Sequence, residues 1–372
     1  MCGNVIGAPF GRRGYGVLDW SLAIAFAALA GCATAPPPTP PGPAPAPPAR
    51  SPTAPAVTPP PPPSPPKASA DRVIARDARF IVYNPRPGDT LRSLARDYLG
   101  DADRYWEIAD FNGVEAAEPG QALVIPLQRP NPLGVLSSGY QIVPILAYHR
   151  FGQQASKMEV LATEFAAQLQ YLAENDYRVV RLRDVEDFLA GKRALPKRAV
   201  VITMDDGYAS TYKYAFPLLK QHGFPATVFV YTDFIGAKDA LTWAQMREMV
   251  ASGLVDIQAH SKTHANLAYR LPGESDERYR ERMDVEARVP RDMLERMLPV
   301  KVDTFAYPFG DASDALIERL RKREYRMAVT VNSGGNAFFA DPLLLQRSMI
   351  LGDQDLDAFK AKLQVFREVD LR

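Results

Sequence analysis

Three short segments carry the residues able to do chemistry. Asp205 and Asp206 stand side by side in Thr203-Met204-Asp205-Asp206-Gly207, directly after the apolar run Ala199–Ile202. Two adjacent carboxylates are costly to ionise together unless a cation or a donor compensates. One can bind a metal while the other handles a proton. Asp-Asp-Gly is also a common turn, so the pair decides nothing alone. His260 and His264, in His260-Ser261-Lys262-Thr263-His264, follow the run Val255–Ala259 and are two of only four histidines in the chain. Histidines four apart meet on one face if their segment is helical, and that spacing serves zinc in other hydrolases. The plainer alternative is two surface histidines in a loop. The third segment is Phe305-Ala306-Tyr307-Pro308-Phe309-Gly310. Its Pro and Gly can fix a tight turn that presents a backbone N–H, and a donor beside a metal is the part an oxyanion needs.

Each segment lies at the end of a short apolar run. The runs are Ile142–Tyr148, Ala199–Met204, Ala226–Val230, Val255–Ala259, Thr304–Tyr307, Met327–Val331 and Leu344–Ile350. Amphipathic stretches lie between them: Glu164–Glu174, Ser210–Gln221, Trp243–Ser252, Asp284–Leu298 and Asp314–Arg323. This alternation predicts parallel strands covered by helices, an α/β fold of the kind that can close into a barrel. In such folds chemistry sits at the carboxyl ends of the strands, which is where the three polar segments fall.

Together, and in this order, the three segments resemble the polysaccharide deacetylase family (carbohydrate esterase family 4), over nearly all of residues 140–372. The resemblance implies a distorted (β/α) barrel and metal-dependent removal of acetyl groups from N-acetylated sugars. It implies Asp205 as general base, and Asp206, His260 and His264 as ligands of a divalent metal, zinc first. It implies the backbone N–H of Phe309 as an oxyanion donor. Two His plus one carboxylate with an open position suit catalytic zinc. Two departures stand out. The family's third motif usually begins with an Arg that orients the base, and here that position is Ala306. Its last motif usually supplies a His as general acid, and here the late strand reads Leu345-Gln346-Arg347-Ser348-Met349-Ile350. His149, at the end of the first run, is the candidate acid or a residue that shapes the pocket. Arg347 is the candidate to orient Asp205. His222, in Gln221-His222-Gly223, reads as an exposed helix end.

Upstream, Phe80–Tyr83 reads as a strand, and Pro87-Gly88-Asp89-Thr90 as a turn and helix cap. Leu91, Leu94, Ala95 and Tyr98 share a helix face. Asp103 can cap a second helix that ends at Asn112-Gly113, before Ala122–Pro126. This small βααβ unit, residues 79–127, resembles the lysin motif (LysM) at Pro87–Leu91, Ala109–Asn112 and Gly120–Pro126. The resemblance implies binding to chains containing N-acetylglucosamine. The groove would lie at Gly88, Asp89, Thr90 and Leu91, with the segment Gly113–Glu118. Trp106 reads as core before ligand contact. Linking such a binder to an enzyme raises the effective concentration of substrate.

The N-terminus reads as an address. Arg12 and Arg13 precede the apolar run Ser21–Leu29, and Leu29-Ala30-Gly31-Cys32 follows. The layout is that of a secretory signal. It resembles the bacterial lipoprotein lipobox, with residues 1–31 removed and Cys32 lipidated as a membrane anchor. A plain signal peptide is the alternative, and the Arg pair matches a twin-arginine signal poorly. The expected location is the cell envelope, at the outer membrane facing the periplasm if the organism is Gram-negative. Residues 32–70 are expected to be a disordered linker, with 18 Pro between Pro36 and Pro66. In extended polyproline geometry the linker would reach on the order of 100 Å.

Composition sets the outer limits. There are 44 Lys+Arg and 43 Asp+Glu, a net charge of +1, which speaks against a protein held to nucleic acid by overall charge. Cys2 and Cys32 are the only cysteines, so the globular part has neither a disulfide scaffold nor a cysteine zinc site. The reading is an N-deacetylase acting on N-acetylglucosamine-containing envelope glycan, peptidoglycan first and poly-N-acetylglucosamine second. The competing reading is a catalytically weak or inactive glycan-binding lipoprotein.

Overall fold

The computed structural model describes residues 72–128 and 131–369. The signal segment, Cys32 and the Pro-rich stretch lie outside the described residues. No helix among the described residues is long and apolar enough to cross a membrane.

The first element group is small. Strands β1 (Val73–Arg76), β2 (Phe80–Tyr83) and β3 (Leu123–Pro126) form an antiparallel sheet in that order. Helices α1 (Leu91–Leu99) and α2 (Tyr105–Asn112) connect β2 to β3. α1 starts at Thr90 because Thr90 and Ser93 exchange a reciprocal pair of side-chain to backbone hydrogen bonds. Gly100, at φ 77°, ends it. The cap of the next turn is Asp101 rather than Asp103: the Asp101 carboxylate accepts the N–H of Asp103, while the Asp103 side chain pairs with Arg92. Asn112 ties α2 to β3, accepting the Val124 N–H and donating to the carbonyls of Ile108 and Val124. Ile81, Tyr83, Leu91, Leu94, Ile108, Leu123 and Ile125 fill the core. The extra strand β1 is half-exposed to exposed along its length, so no alternation marked it in the sequence.

The larger group is an α/β sheet of parallel strands. These are β4 (Val143–Tyr148), β5 (Ala199–Met204), β6 (Ala226–Val230), β7 (Val255–Ala259), β8 (Thr304–Ala306) and β9 (Met327–Val329). They pair in sequence order from β4 to β9. The sheet curls, and a late segment spans its open side. Leu345 bridges Val329, and β10 (Ser348–Met349) pairs in parallel with Leu146 and Ala147 of β4. The expected barrel is therefore present in distorted form, closed along one side by a few residues.

Strands buried on both faces read as unbroken apolar runs, which is why periodicity alone could not orient them. The packing does. Val143, Ile145, Ala199, Val201, Phe229, Ala306, Met327, Val329 and Leu345 fill the barrel interior. Leu146, Tyr148, Val200, Ile202, Met204, Val228 and Ile257 face the outer helices. Those helices are α3 (Ala162–Glu174), α5 (Phe216–His222), α6 (Trp243–Ala251), α7 (Asp276–Met297) and α8 (Asp314–Lys322), whereas α4 (Leu182–Leu189) packs Leu182, Val185 and Phe188 into the interior cluster. α7 starts eight residues earlier than the sequence suggested. Ser275 caps it and Asp276 and Glu277 occupy its first turn, so the N-terminal dipole and cap outweigh a stretch too charged to show an apolar face.

All described residues fall in one compact unit. The small group meets the foot of the barrel. The Lys197 N–H donates to Asp110 Oδ2 at 3.1 Å and Lys197 Nζ to the Asp110 carbonyl at 3.0 Å. Lys197 lies two residues before β5, whose other end carries Asp205. At the rise of an extended strand the two are about 26 Å apart.

Candidate active site

Period-two alternation places the polar residues. Val201, Thr203 and Asp205 share one face of β5 and its exit, the face that fills the barrel. By the same parity His149 continues Val143 and Ile145, and Arg347 continues Leu345. Their side chains therefore converge at the carboxyl end of the barrel interior.

Arg347 is fully buried and forks onto Asp205, Nη1 to Oδ1 and Nη2 to Oδ2, both at 2.7 Å. Nη1 also donates to Thr203 Oγ1 at 3.1 Å, and Nε to the Thr330 carbonyl at 2.7 Å. Its guanidinium lies 5.6 Å from the Phe229 ring centroid. The sequence position that lacks an Arg, Ala306, is thus matched by a guanidinium arriving from the late segment. Burial pushes the Asp205 carboxyl up, but the charge and hydrogen bonds of Arg347 more than offset it and hold it below the usual carboxylate range.

Asp206 faces the two histidines. Its Oδ1 lies 3.4 Å from His260 Nε2 and 3.3 Å from His264 Nε2, yet that buried oxygen accepts no well-formed hydrogen bond. One ligand atom from each of the three lies within 4.8 Å of the others. A buried acceptor left without a donor, aimed between two imidazole nitrogens, is the arrangement a divalent cation completes. His260 Nδ1 lies 2.8 Å from the Ala306 carbonyl. That contact fixes the N–H on Nδ1 and turns the Nε2 lone pair toward Asp206. The donor set, two imidazoles and one carboxylate, fits zinc.

The histidine segment is not helical. His260 ends β7, with its N–H on the Val230 carbonyl, and the chain then turns through Ser261 (φ 69°) to His264 (φ 62°). Four non-glycine residues with positive φ gather at this site, Asp206 (φ 72°), Ser261, His264 and Phe309 (φ 63°). Such conformations cost of order 1–3 kcal/mol each and persist where surroundings impose them. Here they do. Ser261 Oγ accepts the His264 N–H at 2.9 Å. Glu286 of α7 accepts the N–H groups of Lys262 and Thr263 at 2.9 Å each and the Thr263 hydroxyl at 2.7 Å. Glu286 is only 5% exposed. Sequence reasoning missed this support, because nothing near residue 286 marks it as facing residues 262–263.

His149 is half-buried at the mouth. Burial lowers its pKa, opposed by the charges of Asp205 and Asp206, so its resting ring is neutral at pH 7. The His264 ring packs edge-on to Phe309 at 4.8 Å and tilted against Tyr231 at 5.2 Å. Phe309 itself is 59% exposed, on the tight turn Pro308–Gly310. Tyr231, also absent from the sequence reading, stacks on Phe234 and forms an aromatic rim. His222 ends α5 with its ring against Phe224, away from the site. In the small group, Leu91 is core at 4% exposure. Asp89 Oδ2 accepts from Tyr83 Oη and the Arg86 N–H, and Thr90 caps α1. The side chains of these three are thus committed to the fold. Gly88, at φ 94°, allows the turn. Trp106 is half-buried and lines a cleft toward the barrel foot rather than the core.

Comparison with known proteins agrees with this geometry. Residues 192–328 match the family model described as polysaccharide deacetylase. Bacillus subtilis YxkH is 29% identical over 192 residues, 52% of this chain and 65% of its own length. The poly-beta-1,6-N-acetyl-D-glucosamine N-deacetylase of Escherichia coli K12 is 26% identical over 261 residues, 60% of this chain and 38% of that protein. The chain thus spans under two thirds of the length of both relatives. The solved structure of IcaB from Ammonifex degensii aligns with 30% identity and a TM-score of 0.55, covering 60% of this chain and 98% of that one. The curled α/β sheet and the residues at its carboxyl mouth make this part of the chain a member of the polysaccharide deacetylase family of hydrolases.

Proposed function

We propose that the protein is a metal-dependent hydrolase that removes N-acetyl groups from an N-acetylglucosamine polymer of the cell envelope. The observation that carries this is the meeting of an Asp206–His260–His264 donor set with a carboxylate, Asp205, locked in place by Arg347. A divalent ion bound there supplies Lewis acidity, polarising a carbonyl oxygen and acidifying water. The protein's own residues do the rest. Asp205 accepts the proton of the attacking water at a carboxylate oxygen, and Arg347 keeps that carboxylate ionised and oriented. The N–H of Phe309, held by its left-handed backbone, donates to the oxyanion. His149 is placed to hand a proton to the departing amine. Since its resting ring is neutral, it must gain that proton during turnover. Tyr231 and Phe309 wall the site on either side of His264.

Relatives named as poly-beta-1,6-N-acetyl-D-glucosamine N-deacetylases favour that polymer ahead of peptidoglycan. The peptidoglycan reading rests on the likeness of residues 79–127 to LysM. That unit is attached at the barrel foot through Asp110 and Lys197, and Lys197 lies about 26 Å along the strand from Asp205. Its role is then to tether rather than to feed the site directly. Lipidation at Cys32, with the Pro-rich segment as spacer, completes an envelope-anchored protein. Loss of palmitate labelling in Cys32→Ser tests the anchor.

The deciding experiment measures acetate release by the zinc-loaded protein on β-1,6-linked N-acetylglucosamine oligomers and on peptidoglycan, with Asp206→Ala as blank. Release that vanishes in the variant supports the proposal, and the faster substrate ranks the polymers. A folded, zinc-loaded protein that releases no acetate from either leaves the glycan-binding reading.

A further inference from the structure

The cleft lined by Trp106 has a volume of about 510 Å³ and lies where the small group meets the barrel foot. Trp106 and Phe111 of α2 line it from one side, and Leu136, Leu195, Val365 and Phe366 from the other. Phe111 is 48% exposed and Leu136 is 53% exposed, so two large apolar side chains stand uncovered on its rim. None of the residues at the catalytic mouth lines it. Its size falls in the range of cavities that hold a small molecule.

The polar side chains around the cleft are mostly spent on the protein. Asn131 donates to the Val135 carbonyl and accepts the Val135 N–H. Gln141 donates to the Pro196 carbonyl at 2.7 Å. Glu107 pairs with Arg104 at 2.8 Å, and Asp110 accepts the Lys197 N–H. A ligand rich in hydroxyls therefore finds few groups to meet. What is left over is a donor. The Arg198 guanidinium lies 4.1 Å from the Tyr177 ring centroid, and its buried Nε has no acceptor. A buried donor without a partner carries a free-energy cost that an arriving acceptor removes. A guanidinium meets a carboxylate through two parallel N–H groups. With Glu107 offset by Arg104, the cleft sets Lys197 and Arg198 against Asp110, which leaves one positive charge in surplus. Apolar walls, a vacant donor and one surplus positive charge fit an amphiphile with a single negative head.

We propose that this cleft binds one long-chain carboxylate of the fatty-acid class. Its alkyl chain lies among Trp106, Phe111 and Leu136, and its head meets Arg198. Because the walls come from both element groups, the bound chain clamps the small group to the barrel. The site stands apart from the mouth, so its test does not depend on the deacetylase reading. Calorimetric titration of the full chain is carried out with octanoate, decanoate and dodecanoate, each below its micelle concentration. One site per chain is expected, tightening about tenfold for every two methylenes. Arg198→Gln should weaken decanoate about tenfold to a hundredfold and leave the binding of decanol unchanged. Leu136→Glu, at an exposed position, should weaken both at least about tenfold. Decanoate should raise the thermal midpoint of the wild type but not of Leu136→Glu. Decyltrimethylammonium binding as tightly as decanoate, an affinity independent of chain length, or a Leu136→Glu variant that binds like wild type overturns the site. If Arg198→Gln does not fold, the contrast between decanoate and decyltrimethylammonium still decides the head group.

Discussion

Replacing Arg347 with Met tests the electrostatic logic of the site most directly. The side chain is fully buried and Asp205 is 2% exposed. The variant removes two 2.7 Å hydrogen bonds to Asp205 and those to Thr203 and Thr330, while roughly conserving volume. Breaking a buried pair by removing one partner costs about 3–5 kcal/mol, because the remaining charge is uncompensated. That is a large part of the ~5–15 kcal/mol that stabilises a domain, so the variant should fold with a urea midpoint lower by on the order of 1–2 M. In the wild type the Asp205 pKa is depressed. Its stabilisation is therefore present above the unfolded value of about 3.9 and lost as pH falls through the folded value. In Arg347→Met, burial acts without the guanidinium and raises the pKa. The defect is then full above that raised value and shrinks as pH falls below it toward the unfolded value. Urea unfolding at pH 7 and pH 5 should show a wild-type to variant gap that narrows at pH 5. Acetate release at pH 7 should fall at least about a hundredfold, because the base loses the partner that orients it and favours its ionised form. The double variant Asp205→Asn/Arg347→Met should be more stable than Arg347→Met at pH 7. A gap under about 1 kcal/mol, a gap equal at both pH values, or a double variant less stable than the single would refute the reasoning.

Four further outcomes follow from the same geometry. Glu286→Ala loses the acceptor shared by Lys262 and Thr263, so zinc affinity should weaken about tenfold to a hundredfold; chelator competition measures this, with circular dichroism unchanged. Asp205→Asn should keep zinc and lose acetate release, whereas Asp206→Asn should lose both, as metal analysis beside the assay will show. Burial lowers the His260 pKa, but Asp206 and Asp205 more than offset it and raise it above the ordinary value. A proton therefore competes with the metal, and zinc affinity measured by calorimetry should fall steadily as pH drops below about 7. Gly310→Ala should destabilise by more than about 2 kcal/mol in thermal unfolding. Gly310 sits at φ 78°, and an added Cβ would strike Val331 Cγ2 and lie 2.7 Å from the Val331 backbone nitrogen.

The chain announces its chemistry locally where the chemistry is local. Asp205 and Asp206 are neighbours, His260 and His264 are four apart, and each follows an apolar run that forms a strand. Strand ends and polar exits can therefore be read without a fold. The same holds for the Thr90 cap and for Asn112-Gly113, where a side chain within three or four residues satisfies a helix end. The late motif was legible only as an absence of His, with Arg347 named as a candidate on position alone.

Long-range partnerships needed the fold. The forked pair joins residues 142 positions apart, and no local pattern reports which interior face a doubly buried strand presents. The histidine segment offered helical spacing, but hydrogen bonds from Lys262 and Thr263 to Glu286, from His264 to Ser261 and from His260 to Val230 hold it as a strained loop. The π turn at Thr211–Ala215 looked like ordinary helix, since one inserted residue leaves composition unchanged. The attachment at Lys197 and Asp110 puts the small group at the barrel foot, a choice no linker composition reveals. Which side chains could do chemistry was legible along the chain, because chemical character resides in a side chain and its immediate neighbours. The tertiary structure decided how they are charged, oriented and supported, because those properties depend on partners that only folding brings within a few ångströms.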